Sequence, residues 1–196
     1  MKLLTFAFLV SVTHATLTWF SYTCPTGYSA VSSFDKTSYL GRWYQIMSDK
    51  NIIFQLNGHC ITATYAAMDD GDVKVTNRGW FWWFFFSYYS LDGKARANSN
   101  GNGELAVEFN IFNDDRLSGD PNYYILATDY TSYSLVYSCS VGWLGIDEWV
   151  WMLGRDTTMS DSTKTALKSV LGTQVSSYDY SNNLEDSIQG GTCVYE

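Results

Sequence analysis

Residues 41–46 read Gly-Arg-Trp-Tyr-Gln-Ile and begin the first predicted strand of the chain. Glycine allows a close approach of the backbone, and Trp43 brings a large apolar side chain that is stable only when buried. Gln45 and Met47 fall on the same side of an extended strand as Trp43, because side chains alternate with a period of two. The stretch therefore predicts a strand anchored by a buried tryptophan, although the motif alone is common to many strands.

The composition around this stretch favours a β-rich domain. The chain has 196 residues, of which 17% are aromatic and only 2 are proline. Aromatic side chains favour strands, and the length suits one domain with a substantial core. A formal net charge of -8 without any basic cluster argues against nucleic acid as a partner.

Residues 1–15 are predicted to form a secretory signal peptide. Lys2 supplies the positive charge, residues 3–12 form a short apolar run, and residues 13–15 resemble a cleavage site. The run is shorter than the roughly 20 apolar residues that span a bilayer, which makes a membrane anchor the weaker alternative. The mature protein is expected to be a single secreted domain over residues 16–196.

The four cysteines of the chain are widely spaced and form no Cys-x-x-Cys pair. In an oxidising compartment, Cys24, Cys60, Cys139 and Cys193 predict two disulfide bonds, with three possible pairings. A zinc site is disfavoured, because the ligands are scattered and His59 is the one histidine beyond residue 15. Neither a metal nor another cofactor is predicted.

Short strand patterns separated by Gly, Asn and Asp turns follow one another after residue 40. They predict strands at 41–49, 59–68, 73–77, 91–97, 103–112, 123–131, 132–141 and 146–154. Eight strands at hairpin spacing predict an all-β fold, an antiparallel up-and-down β-barrel.

Flanking elements are predicted around this barrel. A helical turn is expected near residues 35–40, and Ile52 to Phe54 in the next loop are expected to be exposed. One C-terminal helix should begin at the cap Ser160, stop at Gly172 and pack outside the barrel through an apolar stripe. Residues 175–180 are a possible extra strand.

Three separated patterns resemble the signature regions of the lipocalin family. They are residues 41–44, the turn Thr128-Asp129-Tyr130, and Arg155 after the eighth strand. Residues 124–130 and 135–139 are particularly similar to the apolipoprotein D-like and insect bilin-binding branches of that family. The resemblance implies a calyx that is closed by Trp43 beneath Arg155 and carries a small apolar ligand. We interpret the closed-end residues as structural, through ring–guanidinium stacking and turn capping.

The resemblance also selects one disulfide pairing and a set of inward side chains. It pairs Cys24 with Cys139 and Cys60 with Cys193, outside the barrel. Strand alternation then turns Ile61 inward beside outward Cys60, together with Tyr65. The expected ligand-binding residues are Tyr65, Phe109, Tyr123, Trp151, Ile61 and Val136. The alternative is that the inward aromatic rings simply fill the barrel.

Residues 80–89 depart from the family pattern, with nine aromatic residues in ten positions. The resemblance places this connection at the open mouth, where we expect a lid that contacts a lipid membrane or lipoprotein surface. The alternatives are a plug of the cavity and a surface covered by a partner. The predicted rim residues are Trp80, Trp82, Trp83, Phe84 and Phe85.

The sequence predicts a secreted carrier of a small hydrophobic ligand rather than an enzyme. All four cysteines have expected structural partners, and no Ser-His-Asp arrangement is evident. His59 is more typical of a satisfied polar residue than of a haem ligand or base. Bilins, retinoids, carotenoids, sterols and fatty acids all suit an aromatic calyx. The alternatives are an interaction module that acts through the aromatic rim and a catalytic lipocalin.

Overall fold

The computed structural model of the chain describes residues 23–52, 55, 58–81, 87–109, 119–142 and 145–195. Eight antiparallel strands form a closed sheet: β1 (Gly41–Asp49), β2 (His59–Ala67), β3 (Val73–Phe81), β4 (Ser87–Ala97), β5 (Glu104–Phe109), β6 (Tyr123–Thr128), β7 (Tyr133–Gly142) and β8 (Gly145–Gly154). Consecutive strands pair, and β1 pairs with both β8 and β2. The predicted up-and-down barrel is confirmed. The predicted signal peptide lies outside the described residues.

β3 and β4 are longer than the sequence predicted. β3 continues through Trp80 to Phe81, and β4 begins at Ser87, which lies opposite Phe81. The predicted bounds were wrong because ladder hydrogen bonds need no polar–apolar alternation and aromatic residues favour strands. The rest of the predicted rim lies outside the described residues: Trp82, Trp83, Phe84 and Phe85.

Helix α2 (Asp161–Gln174) follows the barrel and packs on its outside, as predicted. Ser160 caps it, because its side-chain oxygen accepts a hydrogen bond from the Thr163 backbone N–H at 3.1 Å. Leu167 and Leu171 are buried in a cluster with side chains from β1, β6, β7 and β8. Among the described residues, no helix has both the length and the apolar character needed to cross a membrane.

Gly172 does not end this helix, contrary to the prediction. The helix continues to Gln174 and is capped by Val175. The Tyr180 ring lies 3.0 Å from the position that a Cβ atom on Gly172 would take. Glycine is therefore suited to close packing at this position and does not reverse the chain.

The tail contains an extra strand, but at a different place from the predicted one. Residues 175–180 are not a strand, because the Asp179 carboxylate caps the short helix α3 (Tyr180–Asn183). The extra strand is β9 (Leu184–Asp186), which pairs with residues 47–49 of β1. The prediction for residues 175–180 was wrong because a capping aspartate competes with extended structure.

The segment before β2 corrects one further expectation. Ile52 is only 1% exposed, although an exposed loop residue was expected. The Asn51 backbone N–H donates to the Asp49 carboxylate at 2.7 Å, and this turn folds Ile52 inward. The predicted helical turn is confirmed as α1 (Lys36–Tyr39), which Asp35 caps. Ile53 and Phe54 lie outside the described residues.

Arg155 and Trp43 close one end of the barrel, as expected. The Arg155 Cζ atom lies 3.7 Å from the centroid of the fully buried Trp43 ring. Gly41 has φ +95°, and a Cβ atom there would lie 3.3 Å from Arg155 Nη1, which explains the glycine. The guanidinium donates to backbone carbonyls of Ser38, Tyr39, Leu40, Arg42 and Tyr130.

The turn after β6 is held by its own side chains. The Thr128 hydroxyl donates to the Tyr133 carbonyl at 2.7 Å and accepts from the Tyr130 N–H at 2.9 Å. Burial raises the pKa of Asp129, but hydrogen bonds from the Ser132 hydroxyl and from three backbone N–H groups outweigh it and lower that pKa to about 2. The turn is thus a structural cap, as predicted.

Two disulfide bonds attach the tails to the barrel. Cys24 pairs with Cys139 and Cys60 with Cys193, which confirms the predicted pairing. Both cysteines on strands lie outside the interior: Cys139 belongs to the cluster beneath α2, and Cys60 binds the C-terminal tail.

The seam between β1 and β2 is only partly closed by direct pairing. The two strands pair at residues 41–44 and 62–65, and farther along the C-terminal segment 184–195, here the C-terminal strap, lies between them. The Gln189 amide nitrogen donates to the Gln45 carbonyl at 2.9 Å and to the Ile61 carbonyl at 2.8 Å. One side chain of the strap therefore joins both edges of the seam.

Candidate ligand-binding cavity

A cavity of about 170 Å³ lies inside the barrel. Strand alternation directs large side chains from several strands into it. Five of the six residues predicted to contact a ligand lie in its wall: Ile61, Tyr65, Phe109, Tyr123 and Trp151. The structure thus brings these residues together, while their contact with a ligand stays a prediction.

Val136 is the predicted residue that does not lie in the cavity wall. It is fully buried in the barrel core with Trp43, Ile125 and Leu153. Strand parity gives the side on which a residue lies but not its depth along the barrel. Val136 therefore faces the interior but packs close to the closed end.

Several polar wall residues were missed by the sequence reasoning. Asn77 could have been found, because it shares a face of β3 with Val75 at the strand period. Asn122 precedes β6 and has no such signal; its amide accepts from the Val107 N–H at 2.8 Å and donates to the Val107 carbonyl at 2.9 Å. Gln55 accepts a hydrogen bond from the Trp151 indole at 3.2 Å. None of the described residues that line the cavity is charged.

Four hydroxyl groups lie between the cavity and the closed end. The Tyr65 and Tyr123 hydroxyls are 2.8 Å apart, and the Tyr39 and Ser134 hydroxyls are 2.9 Å apart. Burial raises the pKa of Tyr39 to about 12, and the neighbouring Ser134 and Tyr123 hydroxyls oppose this rise. Burial also raises the pKa of Tyr65 and of Tyr123. We call these four residues the hydroxyl cluster.

The hydroxyl cluster should make the fold sensitive to alkali, and Tyr39→Phe should reduce that sensitivity. Folded Tyr39 keeps its proton to a pKa of about 12, whereas the unfolded chain releases it near 10. Its contribution to stability is complete below pH 10 and is lost as the pH rises towards 12. Two pH units correspond to about 2.7 kcal/mol, so wild type should lose about 2–3 kcal/mol more than Tyr39→Phe across this window. Urea unfolding between pH 8 and 12 measures the difference, and parallel pH profiles would contradict it.

The remaining candidate residues lie away from the cavity wall. The His59 ring stacks on Trp80 with centroids 5.5 Å apart. Arg96 forms two hydrogen bonds to the Asp72 carboxylate, at 2.9 and 2.8 Å, and Lys94 lies 2.7 Å from an Asp70 oxygen. Lys94 and Arg96 therefore belong to exterior ion pairs.

Comparison with known proteins identifies the family. Residues 34–185, which run from just before α1 into β9, match the model of the lipocalin-like domain. The chain belongs to the lipocalin family. This lipocalin is 36% identical to apolipoprotein D of Oryctolagus cuniculus over 155 residues, which cover 76% of this chain and 74% of the relative. Apolipoprotein D of Rattus norvegicus is 37% identical over 145 residues, 71% of this chain and 70% of the relative.

A solved structure agrees with this lipocalin at the level of the fold. Insecticyanin from the tobacco hornworm Manduca sexta superimposes with a TM-score of 0.70 and covers 89% of this chain and 90% of its own. The two sequences are 20% identical, so the likeness concerns the fold alone. The family resemblance predicted from the signature regions is confirmed.

Proposed function

We propose that this lipocalin is a secreted carrier that binds a small, neutral, mostly apolar molecule in its cavity. The observation that carries the proposal is the composition of the wall, which combines aromatic and aliphatic side chains with a few amides and hydroxyls. Such walls are typical of sites that bury most of a ligand's surface. Two relatives are named apolipoproteins, which supports an apolar cargo. The two disulfide bonds support an extracellular location.

The size of the cavity restricts the cargo. A volume of about 170 Å³ is close to that of cavities of about 150 Å³ that hold one benzene ring. Sites for drug-sized ligands measure about 300–1,000 Å³. The enclosed part of the ligand is therefore one small ring system or a short alkyl chain. A bilin, carotenoid or sterol would enter only in part.

Filling the cavity from one strand tests the carrier function. Ala63 of β2 lies in the cavity wall, whereas Ala66 of the same strand is exposed to solvent. Ala63→Leu should weaken the binding of ethylbenzene about tenfold or more, because the larger side chain occupies the ligand's space. Ala66→Leu adds the same atoms outside and should leave the dissociation constant unchanged. Isothermal titration calorimetry measures both.

A second variant that fills the cavity keeps the test valid if Ala63→Leu does not fold. Ser138→Leu places a larger side chain in the wall on β7, which leaves less space for the ligand, and should weaken ethylbenzene binding in the same way. Failure of the wild-type protein to bind both ethylbenzene and its carbonyl analogue acetophenone would overturn the carrier function. Equal affinity in wild type and both filled variants would place the binding site elsewhere.

Contact with a membrane or lipoprotein surface stays a prediction from the sequence. The residues on which it depends, 82–86, lie outside the described residues, and Trp80 is engaged in stacking with His59. The same holds for the interaction-module alternative, so the cavity carries the proposed function by itself.

A further inference from the structure

The hydroxyl cluster contains more hydrogen-bond donors than its own bonds use. Each hydroxyl has one O–H donor and two acceptor lone pairs. The Tyr65–Tyr123 pair uses one donor for its bond, and the Tyr39–Ser134 pair uses another. A third bond between Tyr39 and Tyr123 would use one more. At least one of the four donors therefore has no acceptor within the cluster.

The unused donor can be placed on the cavity side of the cluster, where a ligand can supply its acceptor. Tyr39 is 3% exposed and Ser134 is fully buried, and both pack away from the cavity wall. An unpaired donor on Tyr39 or Ser134 would destabilise the fold by the full desolvation free energy of its O–H group. Tyr65 and Tyr123 line the cavity. When each hydroxyl donates to its neighbour in the direction of the cavity, the O–H that has no acceptor belongs to Tyr65 or Tyr123, where a ligand can reach it.

The surroundings of these two hydroxyls are apolar. The Tyr123 ring stacks on Trp151 with centroids 6.2 Å apart, and Phe109 lies in the same wall. A hydrogen bond in such an environment is strong, because water does not compete for it. One polar contact among apolar surfaces is the usual means by which a pocket orients its ligand.

We propose that the Tyr65 and Tyr123 hydroxyls recognise a carbonyl oxygen at the leading end of a neutral apolar ligand. This inference rests on the proposed carrier function and names the chemical class of its cargo. The free O–H donates to the carbonyl, and the rest of the ligand lies against Phe109 and Trp151.

The cavity wall disfavours a ligand that would place a carboxylate at the Tyr65 and Tyr123 hydroxyls. No described residue of the cavity wall is a cation that would neutralise a carboxylate. Burial raises the pKa of both tyrosines, so the site disfavours negative charge and keeps its donors protonated. A carboxylate would lose its hydration without a counter-charge. An acid head group is therefore excluded from the inner end of the cavity.

Acetophenone and ethylbenzene test the inference, because they differ only in a carbonyl group in place of a methylene. Isothermal titration calorimetry should show that Tyr65→Phe/Tyr123→Phe lowers the ratio of acetophenone affinity to ethylbenzene affinity about five- to tenfold. Both hydroxyls must be removed, because either one alone keeps a free donor. Tyr137→Phe is the matched control, since that buried hydroxyl donates to Glu148 in the cluster beneath α2.

The infrared carbonyl stretch of bound acetophenone gives a second readout that is independent of any variant. In wild type it should lie below the frequency measured in an alkane solvent, and an unshifted band would overturn the inference. An unchanged affinity ratio in a folded double variant, or benzoate binding tighter than acetophenone, would also overturn it while leaving the carrier function intact. Failure of wild type to bind either neutral probe would overturn the carrier function itself.

Discussion

Trp43→Ala is expected to lower the free energy of unfolding by about 3–5 kcal/mol. The Trp43 side chain is fully buried, and its indole donates to the Tyr39 carbonyl at 2.9 Å. Truncation would leave a cavity at the closed end and remove the ring on which the Arg155 guanidinium stacks. The backbone carbonyls that Arg155 joins come from two segments, 38–42 and the turn at Tyr130, which are far apart in sequence, so the loss should affect the whole barrel.

Urea unfolding followed by far-ultraviolet circular dichroism measures this loss. Val141→Ala is the control, because that apolar residue is 57% exposed and its truncation should change stability by no more than about 0.5 kcal/mol. Trp43→Phe should lie between wild type and Trp43→Ala, since it keeps part of the ring and loses the indole N–H. A loss below about 1 kcal/mol in Trp43→Ala would show that Arg155 closes the barrel without the ring.

The closed end was predictable because its signals are local and chemically specific. A glycine two residues before a tryptophan, a capped turn and an arginine after the last strand each need particular residue types. The barrel itself followed from hairpin spacing and turn residues. Where tertiary pairing replaces local preference, prediction failed: β3 and β4 extend into the aromatic run, and α2 continues through Gly172.

The sequence predicted which side chains face the cavity but not how far along the barrel axis each one lies. Disulfide positions set which side chains of β2 and β7 face inward, and parity then placed Ile61 and Tyr65 in the wall. Parity does not report height along the barrel, so Val136 was assigned to the wall although it packs in the core. Asn122 and Gln55 lie outside regular strands, and only the folded chain brings them to the cavity.

Removal of either disulfide bond is expected to destabilise the protein by about 2–5 kcal/mol. The two bonds close loops of similar length, with sequence separations of 115 and 133. The chain-entropy contribution depends on the logarithm of loop length, so the two losses should differ by only about 0.1 kcal/mol. Cys24→Ser/Cys139→Ser is therefore a matched control for Cys60→Ser/Cys193→Ser in global stability.

The same pair of variants should differ at the seam between β1 and β2. Cys193 belongs to the C-terminal strap, whose Gln189 amide donates to both edges of the seam. Without the Cys60–Cys193 bond the strap is held by these hydrogen bonds and by β9, and each hydrogen bond contributes only about 1 kcal/mol. Opening of the strap should then speed the release of ethylbenzene about tenfold, because Ile61 of the seam also lines the cavity.

Ligand release rates from relaxation-dispersion NMR, with amide hydrogen exchange at Ile61, separate the possible causes. Faster release confined to Cys60→Ser/Cys193→Ser would identify the strap as the part of the wall that controls access. Equal acceleration in both variants would mean that release follows global stability instead. Unchanged release in both would show that the ligand leaves by a route that the strap does not control.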